Sequence, residues 1–194
     1  MNKSFATSLT HLGEKNPPSV SSSKSIPISM SSVFVFDDVE TLDDVYEGKV
    51  DGYVYSRNGN PVHDALAEII TKIDEGDDSQ VFSSGMAAIS MAIVSQIKSG
   101  DHIIASNVLY GGTYQFLKTE LSKFNIEVTF IDVVNDDIEK YFKPNTKLVY
   151  IETISNPLME VIDLRAIAGK THNHKTKLIV DNTFATAIVC QPLK

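Results

Sequence analysis

From residue 60 onward the chain alternates short apolar runs with longer stretches of helical periodicity, and this alternation restricts its fold more than any other feature. Five apolar segments, 81–82, 102–105, 128–131, 148–151 and 178–180, are predicted strands. Between them lie the predicted helices 86–98, 114–124, 136–142 and 164–172. Strands alternating with helices build an α/β domain on a mostly parallel sheet, because a crossover helix returns the chain to begin a parallel neighbour. A further helix precedes the series. Asn60-Pro61 reads as a cap followed by proline in the first turn. Val62, Ala65, Leu66, Ile69, Ile70 and Ile73 then recur at helical spacing until Gly76 stops them. The helix at 86–98 is apolar nearly all round and is expected to be buried.

Residues 1–59 lack this periodicity and are expected to form an extended N-terminal arm, with 60–194 as the α/β domain. Eight of the fourteen residues in 19–32 are serine, with Pro17-Pro18 before them and Pro27 among them. No apolar core marks a signal peptide, and such an arm is ordered only by packing elsewhere, on another subunit for instance. The net charge of -8, from 17 Lys+Arg against 25 Asp+Glu, disfavours nucleic acid, whose phosphates need a basic patch. The longest apolar run, 89–94, is broken by Ser90, whereas a membrane span needs roughly 20 apolar residues. A single cysteine, Cys190, excludes an internal disulfide framework and suits a reducing cytoplasm.

In open α/β sheets ligands bind beyond the carboxyl ends of the strands. Those positions here carry Ser83-Ser84-Gly85-Met86, then Ser106 with Tyr110-Gly111-Gly112-Thr113, then Glu152-Thr153 with Ser155-Asn156-Pro157, and finally Asp181-Asn182-Thr183. Each group has a plain reading beside a chemical one. Ser-Ser-Gly before a helix serves as an N-cap or as an anion cradle on exposed amides. Tyr110 is a turn aromatic or a face for a flat ring. Asp181 caps the next segment or, at a buried strand end, pairs with a cation such as a protonated ring nitrogen. Asn156-Pro157 alone is a turn. Dinucleotide and P-loop glycine motifs are absent. No metal site is expected, since His172 and His174 sit two apart without a ligand cluster. The pairs Asp37-Asp38, Asp43-Asp44, Asp77-Asp78 and Asp136-Asp137 read as caps and turns, and Cys190 as filler.

Taken in order, these residues resemble one family. Tyr53-Val54-Tyr55-Ser56-Arg57-Asn58-Gly59-Asn60-Pro61 matches its Y-x-Y-x-R-x-x-N-P signature. Ser84-Gly85-Met86-Ala87-Ala88, Leu109-Tyr110-Gly111-Gly112-Thr113, the run from Glu152 to Pro157, and Val180-Asp181-Asn182-Thr183 follow. From about Pro27 on, the chain is similar to the pyridoxal-phosphate enzymes of Cys/Met metabolism. These are the cystathionine γ-synthases, cystathionine γ-lyases, methionine γ-lyases and O-acetylhomoserine sulfhydrylases. The resemblance implies a fold type I large domain, like that of aspartate aminotransferase, with helices on both faces of the sheet, and pyridoxal 5′-phosphate as cofactor. It gives Gly85 and Met86 the cofactor phosphate through their amides, with Arg57 and Tyr55 reaching the same phosphate from a neighbouring subunit. Arginine suits that task because its planar fork grips phosphate oxygens in pairs. Tyr110 is expected to stack on the pyridine ring, Asn156 to bond its phenolic oxygen and Asp181 to keep its nitrogen protonated. Ser84 and Thr183 complete the cofactor-binding set, and Glu152 receives no task.

Departures from the family pattern shape the remaining expectations. The family's Schiff-base lysine lies in a Ser-x-Thr-Lys segment beyond Asp-Asn-Thr, and the sequence closes at Lys194 before it. Ala187 stands where a proline is usual. The chain is therefore expected to be a partial cofactor domain, truncated before that lysine and the C-terminal domain, with no catalytic residue of its own. Its parent is expected to be a cytoplasmic homotetramer, a dimer of dimers. That parent would catalyse γ-elimination or γ-replacement on cystathionine, methionine or an O-acylhomoserine. The alternative is a non-catalytic fragment or pseudoenzyme. An aminotransferase of the same fold shares the aspartate but is not expected to carry the Tyr-x-Arg signature with Asn-Pro. Gly112 occupies a position where methionine γ-lyases commonly carry cysteine, which favours the other branches.

Overall fold

A computed structural model describes residues 24–194 of the chain, so 19–23 of the serine-rich stretch lie outside the described residues. The described residues divide into two compact units, with the boundary after Val62.

In the first unit, Val33 bridges Tyr55 in antiparallel fashion, the amide of Phe34 donates to the Val54 carbonyl at 3.2 Å, and that of Ser56 donates to Ser32 at 2.9 Å. The rings of Phe34 and Tyr53 pack 5.4 Å apart beside this pairing. The arm is not extended throughout, because α1 (Val39–Tyr46) interrupts it. Asp38 starts this helix by accepting from the Thr41 amide at 2.7 Å. Gly48, at φ 70, supplies the left-handed residue just past its end. Asn60 does more than cap. Its Oδ1 accepts from the Val62 amide at 3.0 Å, while its Nδ2 donates to the Ser29 carbonyl and Ser56 Oγ at 3.3 and 3.0 Å. One buried side chain thus starts α2 (Pro61–Asp74) and ties down the segment before it. At the far end of α2 the left-handed position falls on Glu75, φ 55, and the Gly76 amide closes back to the Thr71 carbonyl at 2.9 Å. A Cβ on Gly76 would lie 3.2 Å from Leu193 Cδ1, so close approach is what that glycine serves.

The second unit takes in α2 from His63 on and is built on α3 (Gly85–Val94), β1 (His102–Ser106), α4 (Gly111–Gln115), β2 (Glu127–Ile131), β3 (Thr146–Glu152), α5 (Leu164–Asn173), β4 (Lys177–Asp181) and α6 (Thr186–Val189). The four strands pair in the order β2-β1-β3-β4, every pair parallel. Successive side chains of a strand point to opposite faces, and both faces here are buried. Ile103, Ala105, Leu148 and Tyr150 face one core with Ile93 of α3 and Leu117 and Leu121 of the segment after α4. Ile104, Val149 and Ile151 face another with Ile138 and with Ile167 of α5. Helical segments therefore cover both sides of a parallel sheet, as the fold type I expectation requires.

Several predicted elements differ. Residues 81–82 form no strand, since two apolar residues make no ladder and Phe82 is 38% exposed. The helix predicted over 86–98 ends at Val94, and only Ile93 of it is fully buried, with Met91 and Val94 about half exposed. The stretch 114–124 changes form twice, from α4 to a π turn (Phe116–Glu120) to a 3-10 turn (Leu121–Phe124), and left-handed Asn125 ends it at φ 57. The stretch 136–142 shrinks to a 3-10 turn (Ile138–Tyr141), capped by Asp137. Among the described residues no helix is long and apolar enough to cross a membrane.

The strand order fixes where a ligand can sit. The chain leaves β1 for β2 on one side and returns past β1 to β3 on the other. The crevice beyond the carboxyl ends of β1 and β3 is the switch point of such a sheet.

Candidate functional site

A cavity of about 440 Å³ opens at that switch point. Ser84, Gly85, Met86, Tyr110, Asn156, Asp181 and Thr183 all line it, together with Ile89, Glu152, Ile154 and Phe184. Seven of the nine residues singled out in the sequence are thereby brought together. Tyr55 and Arg57 belong to the first unit, where the Arg57 guanidinium carbon lies 5.3 Å from the Tyr55 ring centroid. Both are exposed, and Arg57 makes no ion pair among the described residues.

One wall is the start of α3. Ser84 Oγ accepts from the Ala87 amide at 3.1 Å, leaving the amides of Gly85 and Met86 as the helix's free first donors. Space above Gly85 is open, for a Cβ there would meet no atom within 4 Å. Exposed amides with the positive end of a helix behind them favour an anion.

Tyr110 forms a second wall where the chain enters α4. Its ring lies close over Gly112: a Cβ on that glycine would fall 2.7 Å from Tyr110 Cε1 and 3.1 Å from Met86 Sδ. Glycine at 112 lets the ring settle there.

Acidic groups make the floor. Glu152 ends β3, Asp181 ends β4, and the two are partners in the parallel register. Tyr150, one pleat earlier on the same face as Glu152, is fully buried and donates its hydroxyl to Asp181 Oδ2 at 3.1 Å. The amide of Thr183 donates to Asp181 Oδ1 at 3.0 Å and its hydroxyl donates to the same oxygen at 2.5 Å. Three donors from two segments therefore fix the orientation of this carboxylate. Burial, reinforced by Asp181, holds the Tyr150 hydroxyl well above the usual phenol range.

Glu152, which the sequence places at a strand end without a task, also lines the cavity. It is 5% exposed, accepts from the Tyr110 amide through Oε1 at 2.7 Å, and accepts from the Asn156 amide through Oε2 at 3.1 Å. Burial pushes its carboxyl above the normal range, the Tyr110 amide pulls it back, and the charge on Asp181 pushes it further up. The available signal was parity, since 148, 150 and 152 share a face and the next strand ends in an acid.

This lining suits a flat ring with an anionic tail and a protonated nitrogen: an aromatic face, helix amides, a carboxamide and an oriented carboxylate around one cavity of ligand size. Comparisons with known proteins agree with it. The family described as Cys/Met metabolism PLP-dependent enzyme matches residues 6–194. An L-methionine γ-lyase of Porphyromonas gingivalis is 41% identical over 170 residues, 87% of this chain and 43% of that protein. A homocysteine/cysteine synthase of Saccharomyces cerevisiae is 38% identical over 98% of this chain and 44% of its own length. The chain thus spans less than half the length of these curated relatives. Among solved structures, an O-acetylhomoserine (thiol)-lyase of Campylobacter jejuni, crystallised with N′-pyridoxyl-lysine-5′-monophosphate, matches with a TM-score of 0.82 and 32% identity over 87% of this chain and 42% of that one. A cystathionine γ-lyase of Lactobacillus plantarum, complexed with L-serine, matches with a TM-score of 0.80 and 34% identity over 98% of this chain and 48% of that one.

Proposed function

The chain belongs to the Cys/Met metabolism family of PLP-dependent enzymes, which use pyridoxal 5′-phosphate, and on that premise we propose that it carries the ring-holding side of the cofactor site of a carbon–sulfur lyase or transferase. The reaction is γ-elimination or γ-replacement on a sulfur amino acid or an O-acylhomoserine. One observation carries this reading: the helix start at Gly85, the Tyr110 ring, Asn156 and the oriented Asp181 carboxylate line a single cavity at the switch point of the sheet.

When bound, pyridoxal 5′-phosphate supplies an electron sink for the pair left on a substrate's α-carbon as its proton departs. The residues of this chain prepare that chemistry. Asp181 holds a proton at the pyridine nitrogen, and its three donors keep the carboxylate aimed. Tyr110 covers one ring face, and Asn156 bonds the phenolic oxygen. Gly85 and Met86, behind the Ser84 cap, take the phosphate on their amides. Thr183 serves the cofactor by fixing the Asp181 carboxylate. Arg57, with the Tyr55 ring beside it, is an exposed cation suited to the phosphate of a second copy's site, the role the family resemblance gives it, and the parent is a homo-oligomer on that reading.

Titrating the purified protein with pyridoxal 5′-phosphate tests the site. Saturable binding is expected, weakened more than about tenfold in Asp181→Asn, the loss of one charge-assisted contact in a partly buried site. Equal binding by both forms shows that this cavity is not the cofactor site. The reaction belongs to the full-length parent and is tested there, on L-methionine, cystathionine and O-acetylhomoserine. Elimination releases a 2-oxo acid from one substrate alone, whereas replacement needs an added thiol. Turnover of none of them rules the proposed reaction out.

A further inference from the structure

Glu152 is a buried carboxylate that makes no ion pair among the described residues, and its neighbour in the register, Asp181, is another acid. Burying an acid beside an acid is costly, so an apolar side chain at this strand end would be the easier choice unless the carboxylate is needed. Both of its oxygens are used as acceptors, and both donors are backbone amides, one from the segment after β1 and one from the segment after β3. Those segments flank the crevice on its two sides. A glutamine has the same shape but offers one acceptor and one donor, so its amino group would face an N–H. The geometry selects a group with two acceptors.

We propose that Glu152 is a positioning residue of the cofactor site, clamping the amides of Tyr110 and Asn156 and thereby setting the spacing between the aromatic face and the carboxamide that hold the ring. This rests on the reading of the cavity as the pyridoxal-phosphate site. Glu152 acts through the two residues it fixes, and it couples the loop after β1 to the loop after β3 across the switch point.

The probe is pyridoxine 5′-phosphate, which lacks the aldehyde and so cannot react with surface lysines. Calorimetric titration is expected to show Glu152→Gln binding about tenfold more weakly than the native chain, with Glu152→Asp between them because its shorter arm keeps one amide but not both. The circular dichroism of the bound pyridine chromophore, per mole bound at saturation, is expected to change in Glu152→Gln, which simple loss of stability would not cause. In a Tyr110→Ala background the same substitution is expected to cost about threefold instead of about tenfold, since of the two positioned side chains only Asn156 remains. Additive penalties, or native affinity in Glu152→Gln, overturn the proposal. So does amide hydrogen exchange in the native chain if Tyr110 and Asn156 exchange like free loop residues, a measurement that needs no variant. If native binding is matched by Asp181→Asn, the cavity is not the pyridoxal-phosphate site and the proposal falls with that reading.

Discussion

Gly112 shows how a single missing side chain shapes the site. A Cβ there would sit 2.7 Å from Tyr110 Cε1, well inside van der Waals contact, and 3.1 Å from Met86 Sδ. The methionine is unbranched and can shift at little cost, but the tyrosine ring moves as a plate. Gly112→Ala is therefore expected to shift the ring and weaken pyridoxal-phosphate binding by about threefold. Its effect on the urea midpoint should be small, because Tyr110 is 48% exposed and its loss from this position opens no core cavity. Unchanged affinity in the alanine variant would show that the ring's position over Gly112 does not matter to the ligand.

At the scale of the element, α3 joins stability to binding through one residue. Ser84→Ala removes the acceptor of the Ala87 amide and is expected to lower stability by about 1 kcal/mol. Ser84→Asp keeps the cap and adds a favourable charge at the helix start, so the thermal midpoint should hold or rise. The same carboxylate repels an anion on the Gly85 and Met86 amides, so pyridoxal-phosphate titration should show binding nearly abolished. A Ser84→Asp chain that binds normally would place the phosphate elsewhere. Elements of this kind were legible in the sequence to different degrees. The four strands were found within two residues of their ends, because strands buried on both faces are near-continuous apolar runs bounded by turns. Residues 81–82 misled for lack of length, and α1 was missed because its apolar residues face no core: none of its side chains is buried. The π and 3-10 turns after α4 carry the same helical spacing in sequence as an α-helix, so only the hydrogen-bond ladder separates them. Residues after strand ends were enough to assemble the cavity. Glu152 was not legible because its partners are backbone amides, and which amides close on it depends on how two loops fold.

For the whole molecule, the sheet buries a titratable group near each of its ends, and the two respond oppositely to protons. His102 begins β1 with none of its surface exposed, its Nδ1 2.8 Å from Thr146 Oγ1 and its Nε2 2.8 Å from Thr129 Oγ1, so it links three strands. Thr146 Oγ1 also accepts from the Lys143 amide at 2.7 Å, which ties the histidine junction to the segment before β3. Burial first, and then the charge on Lys143, hold this histidine below its ordinary value of 6.5. Between the lowered value and 6.5 the unfolded chain binds more protons, so stability rises with pH, is complete above 6.5 and is lost as pH falls through that window. Glu152, at the end of β3, runs the other way. Its carboxyl lies above the ordinary 4.5, so the native state binds more protons from 4.5 up to the raised value and stability falls as pH rises there. Urea unfolding between about pH 7.5 and about pH 5.5 should therefore show a stability that declines toward acid, with at most about 1.4 kcal/mol per pH unit owed to one histidine. His102→Gln should be less stable at neutral pH yet lose that part of the slope. With the titration carried down to about pH 4.5, Glu152→Gln should steepen the acid decline, since the carboxyl that offsets it just above that value is gone. A His102→Gln chain that keeps the native slope would show that the strand junction is not the source of the decline.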